Sequence, residues 1–427
     1  MNNDKRTHGL WEATAPAGPE AVELTGDIKA DVVIIGAGYT GCSAALHLAE
    51  RGRRAVVLEA VDIGFGGGGR NVGLVNAGLW VMPEELPRQL GEKYGERLLD
   101  QLGMAPSLVF DIVDRHGIAC ELQRKGTLHC AVGAAGAKEI AERAKQWQAR
   151  GADVELLDAD AARRAIGSAA YTGALLDRRA GTIQPLAYAR GLAKAAVGAG
   201  AKIFCRSPAV SARSASGTWT IATSNGSVTA PFVIVATDAY ASGPFEGVRE
   251  EQVMLPYFNL ASSPLSDNLR RSILPGRQGA WDTKGILSSF RFDAEGRLIF
   301  GSVGALRRGG TGIHHDWAKR ELHRLFPQLT EVEFEHEWFG WIGMTNDAIP
   351  RFHKHAPNVF SISGYNGRGI APGTTMGRDL ARLAIGEMDL EDFSLPLSAL
   401  GRPSMRRARE ALYEFGSQAA HFAGSRF

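Results

Sequence analysis

The stretch Ala30-Asp-Val-Val-Ile-Ile-Gly-Ala-Gly-Tyr-Thr-Gly41 joins an apolar segment to a glycine-rich turn. Its first six residues are mostly apolar and β-branched, which is typical of a strand buried on both faces. Residues 42–51 then have helical composition and stop at Gly52, and residues 55–59 form a second buried strand. A strand, a glycine turn, a helix and another strand make a β-α-β unit, which predicts an α/β sheet.

The hexamer Gly36-x-Gly38-x-x-Gly41 in this setting predicts a dinucleotide site. Gly36 permits the tight turn, Gly38 lets the backbone approach a pyrophosphate, and Gly41 lets the helix pack closely on the strand. The helix N-terminus offers unpaired N–H groups and a positive dipole to the phosphates. Glu59, which ends the second strand, can accept hydrogen bonds from a ribose diol, and its charge disfavours the 2′-phosphate of NADP. The fingerprint itself does not distinguish NAD from FAD.

A second glycine cluster, residues 63–73, follows Glu59 and includes Arg70 and Asn71. An NAD domain needs no second flexible loop here, so the cluster favours FAD, whose pyrophosphate or flavin ring its backbone can approach. The whole chain is rich in glycine: 52 of its 427 residues, roughly 12% against an average of about 7%.

Charge and composition exclude several classes of protein. The chain has 48 Lys and Arg against 46 Asp and Glu, so it lacks the basic excess of a protein built to bind nucleic acid. No apolar run is long enough to span a bilayer, and the polar N-terminus predicts a surface arm rather than a signal peptide. The four cysteines have no metal-type spacing, which predicts reduced thiols in a cytoplasmic protein.

The remaining segments predict a Rossmann-like α/β domain built from discontinuous pieces, beside a mostly antiparallel sheet with helices. Residues 185–199 are helical in pattern, 232–236 form a buried strand, and short alternating segments between 252 and 339 include a hairpin at 288–301. The predicted division is an N-terminal arm (1–26), a cofactor domain (27–85, 155–245 and 342–390), a substrate domain (86–154 and 246–341) and a C-terminal helical tail (391–427).

Four ordered segments resemble the D-amino-acid-oxidase superfamily of flavoproteins, which includes glycine, sarcosine and γ-glutamylputrescine oxidases, the last being the most similar. They are residues 35–49 (IGAGYTGCSAALHLA), 69–73 (GRNVG), 181–193 (GTIQPLAYARGLA) and 364–370 (GYNGRGI). The resemblance covers nearly the whole chain, from about residue 10 to 386. It implies an FAD-binding α/β domain with an antiparallel sheet over the reactive face of the flavin.

The resemblance also implies a set of cofactor residues. Those expected at the ADP half, the pyrophosphate and the flavin are Gly36, Gly38, Tyr39, Thr40, Gly41, Glu59, Ala60, Gly69, Arg70, Asn71, Gly73, Leu74, Val210, Ala236, Thr237, Gly364, Asn366, Gly367, Arg368, Gly369 and Ile370. Val210 is expected near the adenine, and the N–H groups of 364–370 are expected against the N1–C2=O edge of the flavin. Negative charge develops on that edge in reduced flavin, and a helix start stabilises it.

Two departures from relatives shape the expectations about FAD and its reoxidation. Some relatives attach flavin through a cysteine or a histidine, yet residues 340–347 contain no cysteine and residues 63–80 contain no histidine. We therefore expect non-covalent FAD. Sarcosine-oxidase-like members carry an oxygen-activating lysine where this chain has Leu-Ile-Phe-Gly at 298–301, so the expected acceptor is either O₂ or a quinone or protein.

On the substrate side, Arg291 is the candidate anchor for a substrate carboxylate, with an exposed edge-strand arginine as the alternative. Trp338 and Trp341 are candidates for the substrate wall, with an ordinary core role as the alternative. The histidines 314–315 and 353–355 are interpreted as loop residues, because no carboxylate or cysteine completes a metal site. The basic run 402–409 is interpreted as a solvated helix face.

The function implied is oxidation of a primary or secondary amine or amino acid to an imine by hydride transfer to flavin N5, followed by hydrolysis. Oxidation of a 2-hydroxy acid on the same scaffold is the first alternative. A flavin subunit of a larger electron-transfer complex, with little activity alone, is the second.

Overall fold

A computed structural model describes residues 8–424 of the chain. Its helices are α1 (Leu10–Thr14), α2 (Tyr39–Ala49), α3 (Glu85–Leu90), α4 (Glu92–His116), α5 (Gly133–Ala149), α6 (Ala159–Ile166), α7 (Pro185–Gly198), α8 (Gly247–Glu250), α9 (Asp267–Ser272), α10 (Gly310–Leu325), α11 (Ile370–Ala384) and α12 (Arg406–Ala423). Its strands are β1 (Gly26–Lys29), β2 (Val32–Ile35), β3 (Ala55–Leu58), β4 (Leu74–Val75), β5 (Thr127–Ala131), β6 (Val154–Leu157), β7 (Gly173–Asp177), β8 (Gly181–Thr182), β9 (Lys202–Phe204), β10 (Ser211–Ala215), β11 (Thr218–Ala222), β12 (Gly226–Ala230), β13 (Phe232–Val235), β14 (Val253–Pro264), β15 (Gly279–Asp282), β16 (Ser288–Phe292), β17 (Arg297–Val303), β18 (Phe334–Met344), β19 (Arg351–Ala356) and β20 (Val359–Ser363).

The first large sheet has the order β19-β20-β13-β2-β3-β9 and is parallel apart from the β19–β20 pair. Every residue of β2 and β3 is buried, because both faces of this sheet are covered. Val32 and Ile34 share a core with helices α2 and α7 on one face, whereas Val33 and Ile35 pack against the four-stranded sheet β1-β12-β11-β10 on the other. The predicted α/β domain is confirmed.

The second large sheet has the order β18-β14-β17-β16-β15-β5-β7-β6. Neighbouring strands in this sheet are antiparallel, except that β15 and β5 are parallel. The predicted hairpin at 288–301 is present as β16 and β17. Helices α6 and α10 close its outer face around Ile166 and Trp317, so the cavity described below lies on its other face.

The structure divides the chain differently from the predicted boundaries. Strand β7 and almost all of β6, which fall in the segment 155–245 assigned to the cofactor domain, pair in the second sheet instead. Helix α4, assigned to the substrate domain, buries Leu98 and Leu102 in the core that contains α2. Amphipathic helices can pack on either domain, and the sequence pattern does not show which one they choose.

The N-terminal arm and the histidines also differ from expectation. Leu10 and Trp11 are fully buried, and the Trp11 indole donates to the Asn71 carbonyl (2.9 Å), so these two residues are part of the core. Residues 1–7 of the predicted N-terminal arm lie outside the described residues. Histidines 314–315 lie in helix α10 and 353–355 in strand β19, not in loops. The four cysteines are buried with free thiols, and no helix within 8–424 is long and apolar enough to cross a membrane.

Candidate cofactor and substrate site

A cavity of about 1050 Å³ runs between the two large sheets. One part is bounded by the turn after β2, the end of β3, the loop 65–72, the end of β13 and the start of α11. The other part is bounded by residues of β14, β15, β16 and β18 and by α12. Its size is at the upper end for a small-molecule site, which fits a dinucleotide with a substrate beside it.

The three fingerprint glycines have separate structural reasons. Gly36 has φ of +103°, and a Cβ there would lie 2.7 Å from the Ala236 carbonyl oxygen. A Cβ on Gly41 would overlap the Gly36 carbonyl oxygen, so this glycine sets the distance between α2 and β2. No described atom lies within 4 Å of a Cβ built on Gly38, which borders the cavity. Since no side chain caps the start of α2, its N–H groups are available to a pyrophosphate.

Glu59 is held as an acceptor at the end of β3. Its Oε2 accepts from the Ala37 N–H (2.8 Å) and its Oε1 from the Val61 N–H (3.0 Å). Burial raises the pKa of this carboxyl, while the backbone hydrogen bonds act in the opposite direction. Hydroxyl donors from a ribose would stabilise its ionised form.

The glycine loop after β3 is fixed by its own polar side chains. The Arg70 Nε donates to the Phe65 carbonyl (2.8 Å) and its Nη1 to the Phe339 carbonyl (3.0 Å). The Asn71 amide donates to the Tyr39 hydroxyl (2.9 Å) and its Oδ1 accepts from the Gly73 N–H (2.8 Å). These bonds tie the loop to α2 and to β18, so the cavity wall here is preformed.

The loop 364–370 is supported by a buried aspartate and an asparagine. The Asp238 Oδ1 accepts from the Gly364 N–H (2.8 Å), and burial raises the Asp238 pKa to about 6. The Asn366 Oδ1 accepts from the Thr345 N–H (2.8 Å), and Asn366 itself has φ of +52°. The loop places the start of α11, which no side chain caps, at the cavity wall. The positive end of a helix dipole stabilises negative charge that develops on a ligand there.

Arg368 is a buried cation of the cavity wall. Its guanidinium carbon lies 4.4 Å from the Trp80 ring centre and 5.3 Å from that of Trp281. Its Nη1 donates to the Ala77 carbonyl (3.3 Å), and no described residue accepts from its buried Nε. Burial lowers the Arg368 pKa to about 9, so the group remains charged at neutral pH. A buried cation without a carboxylate on it suits an anionic ligand group.

The remaining wall is aromatic and aliphatic with few polar groups. Tyr257 of β14 shares a hydrogen bond with the Ser289 hydroxyl (2.7 Å), and burial raises the Tyr257 pKa above its usual value. The Trp341 N–H donates to the Tyr240 hydroxyl (2.9 Å), which fixes the strand that carries the Trp341 ring. Leu255 and Val303 complete an apolar surface of the kind that excludes water around a reacting substrate.

Most of the predicted cofactor residues border this cavity. Those that do are Gly36, Gly38, Tyr39, Thr40, Glu59, Ala60, Arg70, Asn71, Leu74, Ala236, Thr237, Asn366, Gly367, Arg368, Gly369 and Ile370. Gly41, Gly69, Gly73 and Gly364 support the wall from behind through backbone packing. Val210 is 54% exposed and lies outside the lining, where Pro208 and Ala209 take the expected place.

Two of the three predicted substrate residues lie elsewhere. Arg291 is only 1% exposed, and its guanidinium donates to the carbonyls of Ile183, Gly73 (3.3 Å) and Phe292 (3.0 Å). Trp338 is fully buried, and its indole donates to the Arg70 carbonyl (3.0 Å). Both therefore support the backbone. Every residue of β16 is buried, so strand alternation does not identify a ligand face around Arg291. Trp341 does border the cavity.

Sequence reasoning missed Trp80, one of the two aromatic partners of Arg368, and the contribution of α12. Trp80 lies in a loop with no periodic pattern, and it reaches the site because its indole donates to the Asn366 carbonyl (2.6 Å). Leu412, Tyr413, Gly416 and Ser417 of α12 also border the cavity. The glycine-arginine-glycine at 367–369 is the sequence signal for Arg368, and by its resemblance to the family it predicts a cofactor contact.

The donor set fits FAD. The wall offers an uncapped helix start and an open glycine for a pyrophosphate, a buried carboxylate for a ribose, and a second helix start for a flavin edge. The buried Thr237 hydroxyl and Trp281 indole nitrogen also border the cavity and have no partner among the described residues. Such orphaned polar atoms are expected where a polar ligand belongs.

Comparison with known proteins gives a consistent result. A family model of FAD-dependent oxidoreductases matches residues 31–383. The chain is 32% identical over 416 residues to γ-glutamylputrescine oxidoreductase of Escherichia coli, covering 97% of each, and 30% identical over 370 residues to the probable oxidoreductase OrdL of Haemophilus influenzae, covering 85% of each.

Solved structures with the same fold include glycine oxidase of Geobacillus kaustophilus, with a TM-score of 0.71 at 20% identity over 88% of this chain and 99% of that one. Iminodiacetate oxidase of a Chelativorans species has a TM-score of 0.69 at 18% identity over 87% of this chain and 98% of that one. The sequence fingerprint, the cavity that fits the cofactor and the match across residues 31–383 agree, and the chain belongs to the D-amino-acid-oxidase (DAO) family of FAD-dependent oxidoreductases.

Proposed function

We propose that this enzyme oxidises an amine that carries a carboxylate, such as an amino acid, to the imine, which water hydrolyses to a carbonyl compound and ammonia or an amine. The observation that carries the proposal is Arg368, a buried guanidinium between two tryptophans on the cavity wall. FAD, when bound, supplies the two-electron acceptor for the hydride that leaves the carbon next to nitrogen. The nitrogen loses its proton to solvent.

The residues of the chain orient the substrate and exclude water. Arg368 binds the carboxylate, and the rings of Trp80, Trp281 and Trp341 surround the carbon chain. Tyr257 is protonated at neutral pH, and burial raises its pKa further, so its hydroxyl does not serve as a base. The substrate amine is therefore expected to react in its unprotonated form.

We further propose that FAD is held without a covalent bond, since residues 340–347 contain no cysteine and residues 63–80 no histidine. Acid precipitation of the yellow protein should release all flavin into the supernatant. Flavin that stays with the pellet would contradict this. The proposed acceptor for the electrons is O₂ or a quinone or protein. Comparing peroxide formation in air with anaerobic reduction of a water-soluble quinone distinguishes these acceptors.

The substrate class is tested by anaerobic bleaching of the bound flavin. The panel contains amino acids, the corresponding amines without the carboxylate, and the corresponding 2-hydroxy acids. Rapid bleaching by amino acids, with slow bleaching by simple amines, supports the proposal. Bleaching by hydroxy acids alone would replace it with 2-hydroxy-acid oxidation, which Arg368 would also serve. Failure of every compound, with turnover restored only by a partner protein, would favour the subunit of a larger electron-transfer complex.

A further inference from the structure

Helix α12 presents an apolar face to the outside of the molecule. Met405, just before the helix, is 76% exposed, and Leu412, Phe415 and Phe422 are 67%, 59% and 55% exposed. Positions 405, 412, 415 and 422 are separated by three or seven residues, so they follow one side of a helix. Exposed alanines at 408, 411 and 419 lie between them. Large apolar side chains concentrated on one exposed face mark an interaction surface.

The opposite face of α12 is firmly packed on the protein. The His421 ring stacks on Trp317 at 3.7 Å, and its Nδ1 lies 2.8 Å from the Nδ1 of His314. Glu414 forms an ion pair with Arg307, and Glu414 and Ser417 are buried. The helix therefore has a core-facing side already, and the apolar outer face is additional to it.

Positive charge accompanies the apolar face. Residues 401–424 contain four arginines and two glutamates. Both glutamates are paired, Glu410 with Arg406 (3.6 Å) and Glu414 with Arg307, and the nearby Glu250 is paired with Arg402 (3.0 Å). Arg407 is exposed beside Met405. These pairs neutralise Arg402 and Arg406 as well, so the net positive charge of this helix lies on Arg407 and on Arg409, which donates to the uncharged Asn346 side chain (2.7 Å).

We propose that the outer face of α12 docks the enzyme on an anionic lipid bilayer. A helix with aromatic and aliphatic residues on one face and arginines beside them lies in the membrane interface, with its apolar side chains among the acyl chains. Anionic headgroups attract the arginines. A second copy of the chain fits less well: a stripe of 18 residues is about 27 Å long and 10 Å wide, so two copies bury roughly 540 Å² against the roughly 1,200 Å² of a stable interface.

Docking in this manner brings the part of the cavity wall that α12 forms close to the bilayer. Leu412 is on the exposed face and also borders the cavity, as do Tyr413, Gly416 and Ser417. The docking itself rests on the surface alone and holds whatever the substrate is.

The test is sedimentation of the purified FAD-loaded protein with vesicles. Vesicles of phosphatidylcholine with phosphatidylglycerol should carry the protein into the pellet, and vesicles of phosphatidylcholine alone should do so weakly. Arg407→Gln together with Arg409→Gln should weaken binding about 25-fold, at about fivefold for each arginine. Met405→Glu together with Phe415→Glu should abolish it while leaving thermal stability unchanged. The matched control is Val22→Glu with Met104→Glu, which changes two side chains of 56% and 67% exposure elsewhere and should bind as wild type.

Three results would overturn the proposal. The first is a wild-type protein that stays in the supernatant with both kinds of vesicle. The second is equal binding by the Met405→Glu, Phe415→Glu variant and its control. The third is a dimer in solution without lipid, dissociated by the same variant, which would assign the face to self-association.

Discussion

Replacing Arg368 with methionine tests the proposed carboxylate site, because it removes the guanidinium and keeps an apolar side chain between Trp80 and Trp281. Truncating one partner of a buried, hydrogen-bonded charge pair costs about 2–5 kcal/mol, which is roughly 30- to 4,000-fold in kcat/KM. The loss should appear for an amino acid and should nearly vanish for the amine that lacks the carboxylate. The ratio of the two kcat/KM values is therefore the measurement.

The stability of the same variant separates a binding role from a structural one. The fall of the Arg368 pKa from 12.5 to about 9 corresponds to ~5 kcal/mol of unfavourable charge burial in the free enzyme. Removing the charge should leave Tm equal or higher at neutral pH. Arg291→Met is the contrasting variant: its guanidinium satisfies three buried carbonyls, so Tm should fall and both substrates should be affected alike.

Two results would contradict the proposed binding of the substrate carboxylate by Arg368. An equal loss of kcat/KM on the amino acid and on the simple amine would show that the guanidinium does not contact the carboxylate. A marked fall in Tm for Arg368→Met would show that the arginine stabilises the fold, and the site for the carboxylate would have to be sought elsewhere on the cavity wall.

Three further predictions concern the cofactor region. Glu59→Gln should weaken FAD binding about 10- to 150-fold, since hydrogen bonds to a charged group contribute about 1.5–3 kcal/mol; titration of the deflavinated protein with FAD measures it, and an unchanged Kd would contradict the ribose role. Gly41→Ala should yield protein without flavin, because its Cβ would overlap the Gly36 carbonyl oxygen, and a normal flavin content would refute this. Asp238→Asn removes a carboxyl group whose pKa of about 6 in the folded protein exceeds the unfolded value of 3.8. The free energy of unfolding of wild type should therefore rise by up to about 3 kcal/mol relative to that of the variant as pH falls from 6 to below 4. Denaturant unfolding of both proteins across that range checks the sign, and a parallel pH dependence would contradict it.

The nucleotide half of the site could be predicted from the sequence because its parts are local. The turn between β2 and α2 needs glycines at fixed positions for reasons of backbone geometry, and Glu59 follows within the same β-α-β unit. A motif of this kind consists of residues close together in the sequence, so it can be recognised without the tertiary structure. The order of the four family-like segments then fixed the fold, since the same chain path carries them to one cavity.

The substrate half was decided by tertiary structure. Arg291 lies between phenylalanines in a predicted strand and Arg368 between glycines in a predicted cofactor loop, and neither local pattern shows which guanidinium faces a substrate. Only the tertiary packing shows that the Arg291 guanidinium donates hydrogen bonds to three backbone carbonyls. Only the packing likewise shows that Arg368 lies between Trp80 and Trp281, which are far apart in the chain. The burial of Trp11 and the pairing of β6 and β7 with the second sheet were hidden for the same reason. Long-range contacts depend on which faces of the helices and strands pack together. A single sequence shows only which residues lie on each face.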